Sequence, residues 1–113
     1  IEENNIKFMN IFLIDPLSYI DFMSLVFGCE VVLTDSGGIQ EETTYLGISC
    51  LTLREDTERP ITITEGTNKV IGLNKENIIN EINNVLDSKI SNETKIKYWD
   101  GETSDRIYNI LFE

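Results

Sequence analysis

The apolar positions of this chain fall into short runs that alternate between strand-like and helix-like spacing. "NIFLID" (10–15), "EVVLTD" (30–35), "SCLTLRE" (49–55) and "NKVIGL" (68–73) are apolar at their centres and of strand length. Runs of that kind, bounded by turn residues, suit strands covered on both faces. Between them the period lengthens. Leu17, Ile20, Phe22, Met23, Leu25, Val26 and Phe27 predict a helix over 17–27 that is buried on much of its surface, with Pro16 at its first position and Gly28 at its end. "GIQEETTYLG" predicts a short helix closing at Gly47. Ile78, Ile79, Ile82, Val85 and Leu86 in "NKENIINEINNVLDSK" carry the clearest helical spacing in the chain. Ser88 to Asn92 reads as a polar loop, and about 103–113 as a terminal helix with Ile107, Ile110 and Leu111 on one face. Strands alternating with helices place the chain in the α/β class, a parallel sheet with covering helices. At 113 residues, 41% of them hydrophobic, it suits one compact domain.

Charge narrows the choice of partners. Nine Lys and Arg stand against twenty Asp and Glu, a net charge of −11. Such a field repels nucleic acid and anionic membrane surfaces, so neither is expected as a partner. A small anionic ligand remains possible where a helix start and an Arg supply local positive potential. "FMSLVFGCEVVL" is interrupted by Gly28 and Glu30 and is too short to span a bilayer. The polar, acidic opening "IEENNIKFMN" lacks the pattern of a secretion signal. Cys29 and Cys50, in apolar contexts, read as reduced, buried thiols, in keeping with a cytoplasmic protein. No metal site is expected from two cysteines, and the absence of His excludes His-based acid–base chemistry within this chain.

The candidate chemistry centres on "VLTDSGGIQEE", 32–42, where a strand runs into small residues that open a helix. The first N–H groups of a helix have no intrahelical partners, and the positive end of the helix dipole lies behind them. Such a turn receives a phosphate or carboxylate. Ser36 is a good N-cap whose hydroxyl could serve its own helix or an oxyanion. Gly37 and Gly38 allow close approach to the backbone. The same turn also fits an ordinary capped strand-to-helix connection. Glu42, one helical turn on, could accept hydrogen bonds from two neighbouring hydroxyls, as on a ribose, or be a solvated helix acid. "LREDTERP" carries Arg54 and Arg59 in a loop after a strand, placed either for a diphosphate or for pairing with Glu55, Asp56 or Glu58.

"LTDSGGIQEET", "LGISCLTLREDTERPITITEGTN" and "YWDGETSDRI" resemble the carboxy-terminal domain of non-hydrolysing UDP-N-acetylglucosamine 2-epimerases, from Ile11 onward. The resemblance implies a three-layer Rossmann-like parallel sheet, the later part of the C-terminal domain of a two-Rossmann-domain, GT-B type fold. It implies inversion at C2 of UDP-N-acetylglucosamine to UDP-N-acetylmannosamine, by elimination and re-addition of UDP, without a cofactor. Ser36, Gly37 and Gly38 match the family's diphosphate-binding turn, and Glu42 its ribose-binding carboxylate. Arg59 matches an arginine of the nucleotide-sugar site, and Phe22 falls where the family has an aromatic near the uracil. Leu17 departs from the glutamine that contacts the nucleotide in some members, which leaves base recognition to backbone groups and packing. Sugar 2-epimerases acting on a diacetamido-uronic acid nucleotide share these motifs. A glycosyltransferase or a hydrolysing relative is disfavoured by the acidic pair after the glycines and by TERP.

The family's proton-transfer carboxylates and essential histidine lie upstream of these motifs. Residues 1–113 are therefore expected to form a partial carboxy-terminal UDP-binding domain without an amino-terminal catalytic domain, inactive alone. The expected partners are UDP and a UDP-amino sugar, the amino-terminal domain of the same enzyme, and a second copy. In the sheet order 3-2-1-4-5-6 the two strands that separate "NIFLID" from "EVVLTD" are missing. Unpaired edges predict self-association, a rearranged pairing of the first two strands, or a separately encoded upstream half.

Overall fold

The computed structural model describes residues 9–88 and 94–113. Helix α1 (Tyr19–Phe27) leads to β1 (Val31–Thr34), α2 (Gly37–Leu46), β2 (Ser49–Thr52), α3 (Ile61–Thr64), β3 (Asn68–Val70), α4 (Lys75–Asp87) and α5 (Thr103–Phe112). The strands form a parallel sheet in the order β1-β2-β3, with Val31 opposite Ser49 and Cys50 opposite Asn68. Ladder bonds run past the strand ends, from Leu53 N–H to Thr34 O and from Gly72 N–H to Arg54 O, both at 2.9 Å. The expected strands 49–55 and 68–73 are thus shorter as regular elements, although their pairing continues.

Side chains alternate across a strand, so each register pair faces one layer. Cys50, Thr52 and Asn68 face α2, since Asn68 Nδ2 donates to Gln40 Oε1 at 3.0 Å. Leu51 and Lys69 face the other way, where Lys69 Nζ meets Glu81 of α4 at 2.7 Å. The result is the expected three layers: α2 and α3 on one face, the sheet, and α4 on the other. Val26, Cys50, Leu51, Ile71 and Ile96 form the buried apolar core, with Cys50 and Leu51 its most enclosed members. The α2 side is unusually polar for a core. Gln40, Thr43, Thr44, Thr52, Thr62 and Asn68 are all buried there.

Several expectations are corrected. Residues 10–15 form no strand, and Ile11, Phe12, Leu13 and Ile14 are exposed. A strand exists only through hydrogen bonds to a neighbour, and among the described residues β1 is bonded on one side only, to β2. Helix α1 begins at Tyr19 rather than Leu17. Ser18, not Pro16, sets its start, accepting from Asp21 N–H at 3.2 Å and donating its hydroxyl to the Asp21 carboxylate at 2.6 Å. Nor is α1 buried on much of its surface, since only Val26 of its residues is buried. Cys29 is half-buried with its thiol on Val26 O, while Cys50 is fully buried, and both are unpaired. Helix α3 was not expected. Its "ITIT" alternates like a strand, but Pro60 lies at φ −59° and the Arg59 and Pro60 carbonyls accept the first helical N–H groups.

Other elements match their local signals. Asn74 caps α4 by accepting from Asn77 N–H at 3.0 Å, and Gly47 ends α2 in the left-handed region at φ 73°. Lys89 to Asn92, the rest of the expected loop and helix end, lie outside the described residues, as do residues 1–8. Beyond them, Thr94 Oγ1 donates to Thr44 O at 2.5 Å and Ile96 is buried, which fastens the segment before α5 to α2. Helix α5 presents Ile107, Ile110, Leu111 and Phe112 to solvent. Among the described residues no helix is long and apolar enough to cross a membrane.

Candidate functional site

The carboxyl ends of β1 and β2 carry the two segments singled out in the sequence. Ser36 is the N-cap residue of α2, in extended conformation. Its hydroxyl makes no capping bond, and its N–H instead donates to Thr34 Oγ1 at 3.0 Å. Of its two possible roles, serving its own helix is therefore not the one adopted. Gly37 and Gly38 form the first turn of α2, and around Gly38 there is open space: a Cβ there would meet nothing within 4 Å. Gly37 is different. A Cβ there would collide with the Glu58 carboxylate and lie 3.9 Å from Arg59 Nε. The glycine turn and the TERP segment, twenty residues apart, are thus packed together.

A buried polar network holds them in place. Gln40 Oε1, fully buried, accepts from Thr57 Oγ1 at 2.5 Å and from Asn68 Nδ2 at 3.0 Å. Thr57 Oγ1 in turn accepts the Arg59 N–H at 3.0 Å, setting the backbone of the TERP turn. Asn68 also donates to Thr62 Oγ1 at 3.0 Å and accepts from Thr52 Oγ1 at 2.5 Å, while Thr62 donates to Arg59 O at 2.7 Å. One helix, one loop, one short helix and two strands are thereby tied into a single frame under Arg59. Sequence reasoning missed this frame. Its one local signal is spacing, because Gln40, Thr43 and Thr44 fall at i, i+3 and i+4 and so share one face of α2.

The ionised groups above the frame are paired. Arg59 Nε lies 3.4 Å from Glu41 Oε1, and Arg54 Nη1 lies 3.0 Å from Glu58 Oε2. The Glu58 carboxyl is held below its ordinary range, chiefly by a hydrogen bond from its own backbone N–H and further by the Arg54 and Arg59 charges. Glu42 faces a groove of about 840 Å³ between α1, α2 and Trp99, together with Tyr19, Ile20, Met23 and Phe27. There it accepts the Tyr19 hydroxyl at 2.9 Å, a bond that pushes the Tyr19 phenol above its usual range. Tyr19 is a further residue the sequence did not single out; 23 positions separate it from Glu42, and no local pattern joins them. Phe22 does not line this groove and is 39% exposed on α1. The structure therefore brings Gly37, Arg59 and the α2 start together, sets Glu42 on the adjoining groove, and leaves Phe22 apart. Among the described residues no group of three or more Cys, Asp or Glu is arranged to hold a metal ion.

A parallel sheet with a glycine-opened helix and an arginine-bearing loop at its carboxyl end is the architecture of nucleotide-binding α/β domains. The chain belongs to the UDP-N-acetylglucosamine 2-epimerase family, whose model matches residues 1–112. It is 41% identical over 99 residues to the Methanocaldococcus jannaschii UDP-N-acetylglucosamine 2-epimerase, covering 88% of this chain and 26% of that protein. With the Campylobacter jejuni enzyme of the same name it shares 42% over 108 residues, 92% of this chain and 28% of that one. The crystal structure of the M. jannaschii UDP-GlcNAc 2-epimerase in complex with UDP-GlcNAc and UDP superposes with a TM-score of 0.74 at 41% identity, over 87% of this chain and 26% of that one. Its structural neighbours have the GT-B fold. The chain spans about a quarter of the length of these relatives.

Proposed function

We propose that this chain is the UDP-binding portion of an epimerase that interconverts UDP-N-acetylglucosamine and UDP-N-acetylmannosamine at C2, by elimination and re-addition of UDP. The observation that carries this reading is the packing of Gly37 against Glu58 and Arg59 at the carboxyl end of the sheet, which joins the two family motifs in space. Ser36, Gly37 and Gly38 would receive the diphosphate, since α2 offers unpartnered N–H groups and open space over Gly38. Arg59 pairs with its oxygens, and Glu42 takes the ribose hydroxyls in place of the Tyr19 hydroxyl. Phe22 serves the uracil only after α1 moves, because it lies off the groove.

In such a reaction the departing UDP carries the developing charge, and these residues stabilise it. Removal of the C2 proton needs a base within about 3 Å, and the chain has no His. That base is assigned to an amino-terminal domain across a cleft, and the chain alone is expected to give no turnover. The parent enzyme is placed in the cytoplasm, in keeping with two unpaired thiols. A UDP-diacetamido-uronic acid as substrate, or a nucleotide-sugar-binding module without chemistry, uses the same residues and is separated by assays on the longer protein.

The test is UDP titration of this chain followed by NMR. Shifts at Gly37, Gly38, Glu42 and Arg59 are expected, and Gly38→Ala should fold unchanged, having open space for its methyl, yet lose affinity. Shifts elsewhere, or full affinity in Gly38→Ala, would overturn the assignment.

A further inference from the structure

The close approach that Gly37 permits is already in use. Glu58 Oε1 lies too close to the position a Cβ of residue 37 would take for one to fit, against the first helical residue of α2. Its other oxygen is held by Arg54 Nη1 at 3.0 Å, and Arg59 flanks the same point. The carboxylate accepts no hydrogen bond from a backbone N–H of α2, so it fills space over the helix start without satisfying the donors there. Both cations of the TERP loop are neutralised within the chain, Arg54 by Glu58 and Arg59 by Glu41. A diphosphate entering over Gly37 therefore meets a like charge at contact distance and two arginines that are already engaged.

We propose that Glu58 is an internal competitor for the diphosphate. Its carboxylate holds the space over Gly37 in the empty site, and a nucleotide diphosphate enters by expelling it and taking over Arg54 as well as Arg59. This rests on the reading of the turn as a diphosphate site and adds two residues to it: Glu58 as the group that sets affinity, and Arg54 as a further phosphate ligand. The exchange conserves ion pairs. Expelled, Glu58 moves into water, and its side chain is already 49% exposed, so little packing is lost. Glu41, Glu55 and Asp56 are the other acids near the loop. None of them fills the space at Gly37.

The test compares Glu58→Gln with the parent chain for binding of pyrophosphate and of UDP by calorimetry at one fixed pH and ionic strength. Gln keeps the shape and removes the charge, so Glu58→Gln is expected to bind both anions about tenfold more tightly, the order for removing one like charge from contact at a half-exposed site. Adding Arg54→Gln to that variant should abolish the gain. A gain in affinity is not a result that structural damage produces. Glu58→Gln binding both anions no more tightly than the parent, including no binding by either chain, overturns the proposal. If the parent binds UDP and Glu58→Gln shows no gain, the UDP reading stands and the competitor does not. A pyrophosphate gain with UDP bound no better than pyrophosphate leaves the competitor standing and removes the nucleotide reading.

Discussion

Asn68 is the residue through which the buried frame beneath Arg59 is most exposed to a single change. It makes hydrogen bonds to Gln40, Thr62 and Thr52, at 3.0, 3.0 and 2.5 Å, and is itself 5% exposed. In Asn68→Ala, Gln40 Oε1 keeps Thr57 and Thr62 keeps Arg59 O, so those two losses are ordinary ones of about 1 kcal/mol each. The Thr52 hydroxyl fares worse. It is left with the Cys50 sulfur, a weak acceptor, and leaving a buried hydroxyl nearly unpaired costs about 1–3 kcal/mol. The sum is about 3–5 kcal/mol, a large share of the 5–15 kcal/mol typical of a domain, and corresponds to a fall in Tm of about 10–25 °C. Far-UV circular dichroism in urea and on heating measures it. Thr52→Val separates the orphan from the rest, because in the double variant neither Thr52 nor Asn68 leaves an unpaired group behind. The double variant should therefore cost less than the sum of the single ones by about 1–3 kcal/mol. Strict additivity, or a loss below about 1 kcal/mol in Asn68→Ala, would refute the frame.

Gly66→Ala should destabilise by about 1–3 kcal/mol, since its Cβ would run into the Thr62 carbonyl and both γ atoms of Thr44 at 2.6 Å, and backbone cannot step aside as a side-chain tip can; a melt equal to that of the parent would contradict this. Asp100 is held down to about 2, first by its hydrogen bonds from Arg106 and then by the Glu102 N–H. A depressed carboxyl contributes stability above its ordinary value of 3.8 and loses it as pH falls towards about 2, so the segment before α5 should loosen in that window. Arg106→Gln should return the Asp100 midpoint, followed by carboxyl NMR, towards the ordinary value. The edge of β1, unpaired among the described residues, and the exposed apolar residues Ile11, Phe12, Leu13, Ile110, Leu111 and Phe112 should make the chain associate with itself, and sedimentation showing one concentration-independent monomer would count against it.

What the sequence disclosed followed the range of the interaction involved. Helix α4 was legible because its cap, Asn74, and its apolar spacing lie within four residues of the bonds they make. The glycine turn and the TERP loop were legible for the same reason, each as a contiguous motif. Residues 10–15 have a strand's composition, but composition does not supply a neighbour, and the segment stays unpaired. Helix α3 was hidden by β-branched residues whose alternation mimics a strand until Pro60 fixes the entry. The frame under the site was illegible because its bonds cross 17 and 28 positions, from Gln40 to Thr57 and to Asn68.

Those long bonds bear on how an acidic chain would hold the anion proposed for it. With a net charge of −11 the molecule as a whole repels a diphosphate, and the arginines of the TERP loop do not offset this as free charges, since each is paired with its own acid. Attraction must then be local and geometric: helix N–H groups that need a partner, at a glycine that lets one in. Such groups work only if they are fixed before the ligand arrives. Gln40 supplies that fixing, one buried oxygen accepting from the loop that carries Arg59 and from the strand that carries Asn68. On the proposed reading, the polar core serves the site above it. Threonines and amides stand where aliphatic residues would pack as well, because only hydrogen bonds set the orientation of a loop as well as its distance.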